Sequence, residues 1–126
     1  MKTNKIKNYC DVDLDELKRL KNQFSNLHPE KEFNQKTEIF KALADPTRLQ
    51  ILYLLCFKDL YVCELAEILE KPQSTTSHHL SILKNVGLIK SSKEGIWILY
   101  NLKTPDIITF ADNLCETVQI GELNYE

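Results

Sequence analysis

The stretch VCELAEILEKPQSTTSHHLSILKNVGLIKSSKEGIWILYNL, residues 62–102, decides the fold. Its first eight residues put Val62, Leu65, Ala66 and Leu69 on one helical face, with Glu64, Glu67 and Glu70 largely opposite. Pro72 and Ser74 then open a second helix that runs to about Val86, and Gly87 suits its C-terminal cap. Two β-rich runs follow, LIKSSK and IWILYNL, joined at Glu94-Gly95 in the manner of a hairpin. A short helix, a tight turn and a second helix make a helix-turn-helix, and a hairpin directly after it makes the motif winged.

In the second helix Thr76, Leu80, Leu83 and Val86 form a stripe that should face inward. Thr75, His78, Ser81 and Ile82 fall on or near the outer face, with Ser74 and Ser77 near the first turns. Hydroxyls and imidazoles at a helix N-terminus can donate to phosphates and base edges, and the helix dipole adds attraction for anions. No carboxylate falls within residues 73–88. The bland reading of the same pattern is an ordinary solvated face. Adjacent helical positions point about 100° apart, so His78 and His79 make a poor pair for one metal ion. No nearby acid or nucleophile completes a catalytic set, and no P-loop, G-x-S-x-G or H-E-x-x-H occurs. An enzyme is the least favoured class.

Working outward, DLDELKRLKNQFS (residues 13–25) carries Leu14, Leu17, Leu20 and Phe24 at helical spacing. Residues 26–34, with His28-Pro29 and Asn34, read as a loop, and residues 35–44 as a second helix. Asp45 and Pro46 cap and open a third, ending near Phe57. Lys58 and Asp59 break the pattern. After the hairpin, Pro105 opens a last helix with an apolar stripe of Ile108, Ala111, Leu114, Cys115 and Val118. The expected class is mainly α (α+β), as one structural domain. It comprises an extension and helix (1–34), a winged helix-turn-helix (35–103) and a C-terminal helix (104–126).

The net charge of −2 seems to argue against nucleic acid, but its distribution does not. Residues 71–103 hold Lys71, Lys84, Lys90, Lys93 and Lys103 against one acid, Glu94, while residues 104–126 hold five acids and no base. Phosphate responds to the charge on one face more than to the sum. No apolar run approaches a membrane span, and the polar N-terminus lacks a signal-peptide core, so a cytoplasmic protein with no membrane partner is expected. Cys10, Cys56, Cys63 and Cys115 are widely spaced, contain no CxxC pair and do not read as a disulfide framework. Cys56 and Cys115 sit on apolar helical stripes and read as core. Cys63, off its stripe and beside glutamates, and Cys10, in a polar tail, do not.

FKALADPTRLQIL, VCELAEIL and QSTTSHHLSILKNVGLIKSSKEGIWILYNL together resemble the ArsR/SmtB family of winged helix-turn-helix repressors, over roughly residues 36–102. The resemblance implies a homodimer built on the N- and C-terminal helices, bound to an inverted repeat in double-stranded DNA. It places Ser74, Thr75, Ser77 and His78 towards DNA, leaves His79 beside a buried leucine, and gives the flanking backbone to Lys90 and Lys93. Ser81 and Lys84 complete the expected DNA-binding set with His79. Family members often release DNA on binding a metal. The N-terminal region and the Cys63 helix resemble the cadmium-sensing, CadC-type branch, but its C-V-C pair reads Tyr61-Val62-Cys63 here, and one N-terminal cysteine stands where that branch has two. The resemblance implies Cd, Pb or Zn held by Cys10 and Cys63 across the dimer, with Asp11, Asp13, Glu64 or Glu67 completing the shell; two thiolates with carboxylates suit arsenite less well. The family's other common site, on the last helix, falls on Thr104, Asp106, Thr117 and Ile120 and is essentially absent. Three alternatives stay open. One is control by thiol oxidation, through Cys56 and Cys115; another is a repressor with no inducer; the last is a winged-helix module that binds protein.

Overall fold

The computed structural model describes residues 4–6 and 10–118, with side chains over residues 12–118. The chain divides into two compact units, with the boundary between Thr37 and Glu38.

In the first unit β1 (Asn4–Ile6) pairs antiparallel with β2 (Cys10–Val12), a hairpin the polar N-terminus did not announce. Helix α1 (Leu14–Leu27) begins at an Asp13 cap, whose Oδ1 accepts the Asp15 N–H at 2.9 Å. The expected loop over residues 26–34 shrinks to His28-Pro29, because α2 (Glu30–Leu43) starts directly after the proline. Proline is well suited to the start of a helix, and one exposed asparagine, Asn34, costs a helix interior only about 0.5 kcal/mol. Phe24 and Phe33 stack at 5.4 Å between ring centroids and close the corner, with His28 Nδ1 3.1 Å from Glu32.

The second unit holds the predicted motif. Helix α3 (Pro46–Phe57) starts at Asp45, whose Oδ2 accepts the Arg48 N–H at 3.0 Å. Helices α4 (Val62–Leu69) and α5 (Gln73–Asn85) form the helix-turn-helix. Strands β4 (Ile89–Glu94) and β5 (Trp97–Leu102) form the wing, and α6 (Asp106–Thr117) closes the described chain. A two-residue strand, β3 (Leu60–Tyr61), adds to β5, giving a three-stranded sheet of order β3-β5-β4. It pairs Leu60 with Tyr100 and Tyr61 with Leu99, too short a run to show alternation. Gly95, at φ +63, takes the first central position of the two-residue turn, where a positive φ lets the strands keep their twist.

The core joins Ile51, Leu52 and Leu55 of α3 to Leu65 of α4, Leu80 and Leu83 of α5, Leu60, and Leu88 and Ile89 at the foot of the wing. Each fully buried leucine or isoleucine contributes about 1.5–3 kcal/mol, which outweighs any single polar contact here. Thr76, fully buried, satisfies its hydroxyl on the Pro72 carbonyl at 3.0 Å. No helix among the described residues is long and apolar enough to cross a membrane.

Two cysteines expected in the core are exposed. The buried face of α3 is Thr47, Ile51, Leu52 and Leu55. Leu49, seven residues before Cys56 on the same stripe, is only half-buried and turns towards α6. On α6 only Ile107 and Ile108 pack on the core. The stripe beyond them lies open, with Leu114 at 45% exposure and Cys115 beside it.

The turn between α4 and α5 rests on Glu70, the one non-glycine residue at positive φ among the described residues (φ 54, ψ 46). Lys71 N–H reaches back to the Ala66 carbonyl at 3.1 Å, which holds that left-handed geometry. A Cβ in this region costs about 1–2 kcal/mol. Glu70→Gly is therefore expected to stabilise the fold by about 1 kcal/mol, read as a raised urea midpoint at unchanged slope.

Candidate nucleic-acid interface

Helix α5 buries Thr76, Leu80 and Leu83, and the opposite side carries Ser74, His78 and Ser81, all exposed. These three recur at helical spacing and share one face, with exposed Thr75 and half-buried Ser77 flanking it. Ile82, expected near this face, is half-buried against the core instead. No acid lies in the first turn, and no side chain caps the N-terminal end at Pro72, so the positive end of the helix dipole is unblocked. Gln73 and Asn85, both exposed on α5, are further polar groups that the hydroxyl and histidine pattern did not single out.

Exposed lysines stand on α5 and on either side of it in the chain. Lys71, Lys84, Lys90, Lys93 and Lys103 are all exposed, and among the described residues none pairs with a carboxylate. The one acid in this third of the chain, Glu94, accepts from the Tyr61 hydroxyl at 2.8 Å, and Tyr61 also packs on Trp97. That bond raises the Tyr61 hydroxyl's pKa and keeps the carboxylate occupied. Lys90 and Lys93, three residues apart on β4, point to opposite faces of the wing, because side chains alternate along a strand.

His79 does not share the outward face. Its side chain is 14% exposed, and its Nδ1 lies 3.2 Å from Arg48 Nη1 and 3.9 Å from Asp45 Oδ2. Arg48, which the sequence reading passed over, also donates from Nε to the Ala42 carbonyl at 2.7 Å and from Nη2 to the Lys41 carbonyl at 3.1 Å. Burial lowers the His79 pKa below its ordinary 6.5; Asp45 opposes this, while Arg48, His78 and Lys71 add to it. The Arg48 N–H likewise lowers the Asp45 carboxyl.

The predicted metal ligands are not gathered by the described residues. Cys63 is half-buried at a shallow hollow lined by Glu64, Glu67 and Ile68. The Glu64 carboxylate accepts the Tyr61 N–H at 2.9 Å, and Asp13 is taken up as the α1 cap. The side chains of Cys10 and Asp11 lie outside the described residues. Among the described residues no group of three or more His, Cys, Asp or Glu side chains is placed to hold a metal ion.

The profile of the bacterial regulatory protein arsR family matches residues 45–91, from the α3 cap into the wing. An HTH-type transcriptional regulator of Methanocaldococcus jannaschii is 45% identical over 86 residues, 65% of this chain and 97% of that one. A cadmium resistance regulatory protein, a CadC homolog of Staphylococcus aureus, is 38% identical over 100 residues, 76% of this chain and 79% of that one. The chain belongs to the ArsR family. Its winged helix superposes on a homodimeric winged helix-turn-helix DNA-binding domain from Mycobacterium bovis with a TM-score of 0.64, at 26% identity, over 75% of this chain and 90% of that one. This ArsR-family protein is a DNA-binding transcriptional regulator and not an enzyme.

For this ArsR-family fold a pH dependence follows from His79. The unfolded imidazole takes up a proton at higher pH than the folded one, so its contribution is present above pH 6.5 and is lost as pH falls through the lowered folded value. The urea midpoint is expected to drop between about pH 7.5 and about pH 5.5, and His79→Asn to shrink that drop. Asp45 acts in the same direction, at lower pH.

Proposed function

We propose that the protein is an operator-binding repressor that acts as a homodimer, each protomer laying α5 into one of two successive major grooves of an inverted repeat. Two-fold protein symmetry then mirrors the site. Ser74, Thr75, Ser77, His78 and Ser81 serve base edges and nearby phosphates, while Lys84, Lys90 and Lys93 serve the backbone. The observation that carries this reading is the exposed, acid-free face of α5, with exposed lysines on and beside that helix in the chain that have no carboxylate partner among the described residues. The open apolar faces support the dimer: Phe110 and Leu114 on α6 are 50% and 45% exposed, and α1 buries no residue within one chain. The homodimeric relative from Mycobacterium bovis supports it as well. A regulator of this kind works in the cytoplasm.

Replacing Ser77 and His78 together by alanine is expected to weaken operator binding about tenfold or more at unchanged helical content, since base contacts are worth about 1–3 kcal/mol each. Unchanged anisotropy on a duplex from the protein's own upstream region would reject the assignment of α5. Binding should also weaken steeply as salt rises, with a slope that falls by about one unit for each lysine removed.

The effector in this reading is a thiophilic divalent ion, Cd(II), Pb(II) or Zn(II), that releases the operator through Cys63 and Cys10 of the partner subunit. Similarity to the cadmium resistance regulator and the accessibility of Cys63 support it. Tyr61 in place of a thiolate weighs against it, as does Glu64 already bonded to the backbone. The residues described within one chain do not fit a complete metal shell. The exposure of Cys56 within one chain favours a second reading, release by oxidation, because an oxidant can reach that thiol; Cys115, also exposed within one chain, lies on the face given to the partner subunit. Titrating reduced protein on its operator with Cd(II) separates the two. Release of wild type but not of Cys63→Ser supports the metal; retention with Cd(II) but release by peroxide, absent in Cys56→Ser, supports oxidation.

A further inference from the structure

Arg48 uses all three guanidinium nitrogens within one unit of the fold. Nε and Nη2 reach the Ala42 and Lys41 carbonyls in the last turn of α2, where a helix end leaves carbonyls short of intrahelical donors; the Lys41 carbonyl also accepts the Ala44 N–H at 3.2 Å. Nη1 reaches Nδ1 of His79, the midpoint of α5. Arginine can only donate, so Nδ1 must accept, and His79 is the neutral tautomer with its proton on Nε2. The same turn of α2 contributes Ile39, Phe40 and Leu43 to an apolar groove of about 310 Å³ shared with Leu88, Ile107 and Phe110. One rigid, planar group thus joins the α2–α6 surface to the helix that reads DNA.

Leu80 and Leu83 set how deep α5 lies, but apolar packing has no direction and leaves rotation about the helix axis soft. His79 stands between outward His78 and buried Leu80, at the edge where a directional bond can stop that rotation. We propose that Arg48 is a positioning residue for DNA reading: through His79 Nδ1 it fixes the rotation of α5, and it makes that rotation depend on the C-terminal turn of α2. The inference rests on the DNA-reading role given to α5 above. The charged and titratable groups facing His79 are Asp45 and Arg48 of α3, Lys71 before α5 and His78 on it. Protonating His79 removes the acceptor and sets a cation beside Arg48, so acidification releases the same latch.

The test is anisotropy on the operator duplex and on a scrambled duplex of equal length, with a thermal melt for each variant. His79→Asn places an amide oxygen where Nδ1 was and has nothing in place of Nε2; it is expected to bind the operator within about twofold of wild type. His79→Leu and Arg48→Lys are each expected to weaken operator binding about tenfold and leave scrambled binding unchanged. The double variant should bind no more weakly than the weaker single, because both changes remove one contact. In a His78→Asn background, operator affinity should fall on acidification, and adding His79→Asn should flatten that fall; this arm needs only near-isosteric variants. Wild-type operator affinity in His79→Leu and Arg48→Lys would overturn the proposal. So would loss in His79→Asn restored by His79→Gln, which assigns Nε2 to the DNA, or an acid response that His79→Asn leaves intact. If Ser77→Ala/His78→Ala weakens the operator complex while these variants do not, only the latch fails; if that double alanine is neutral, the reading of α5 fails with it.

Discussion

Everything in the DNA-binding unit depends on burying one stripe of α5. Thr76, Leu80 and Leu83 must enter a core made by α3, α4 and the foot of the wing, and that burial turns Ser74, His78 and Ser81 to solvent. The stripe and the face are two sides of one helix, so the packing requirement that buries the one exposes the other, which is the face proposed above to read DNA. Thr76 shows how tight the requirement is. It is polar and wholly buried, and it is tolerated because its hydroxyl bonds back to Pro72 within the same turn.

The electrostatics follow from the same arrangement. A chain of net charge −2 can present a basic face because its acids are placed elsewhere or held. Glu94 is bonded to Tyr61, Asp45 caps α3, and Glu64 accepts from the backbone at the start of α4. Over distances of about 10 Å, the range left by physiological salt, a phosphate responds to the lysines it meets and not to acids on another helix. Net charge is a poor guide to partner here, and the charge of residues 71–103 a good one.

The apolar surface left open has its own logic. In the DNA-binding unit, Phe40, Leu43 and Leu49 line a groove with Phe110, Ala111, Leu114 and Cys115, and the Tyr53 hydroxyl is tied across to Asp112. That bond lifts the Tyr53 pKa to about 12, so the tie holds across the physiological range. Contiguous apolar faces on separate helices are surfaces that a second copy can cover, which is the use the homodimer proposed above would make of them.

The sequence by itself determined the helix-turn-helix, the wing, the Asp45 cap and, Ile82 apart, the outward set on α5, because each is local. Periodicity, caps and turn residues act within a few positions of one another, so Leu80 with Leu83 or Glu94 with Gly95 can be read without knowing the rest of the chain. Tertiary structure alone decided what depends on distant neighbours. Cys56 and Cys115 lie on apolar stripes yet stay exposed, because a stripe says only that something covers it and not that the same chain does. Strand β3 exists because β5 offers it an edge. His79 turns from its neighbour His78 to Arg48, thirty-one residues earlier, because α3 and α5 cross in the core; adjacent identical residues on one helix are sorted by what lies beyond it.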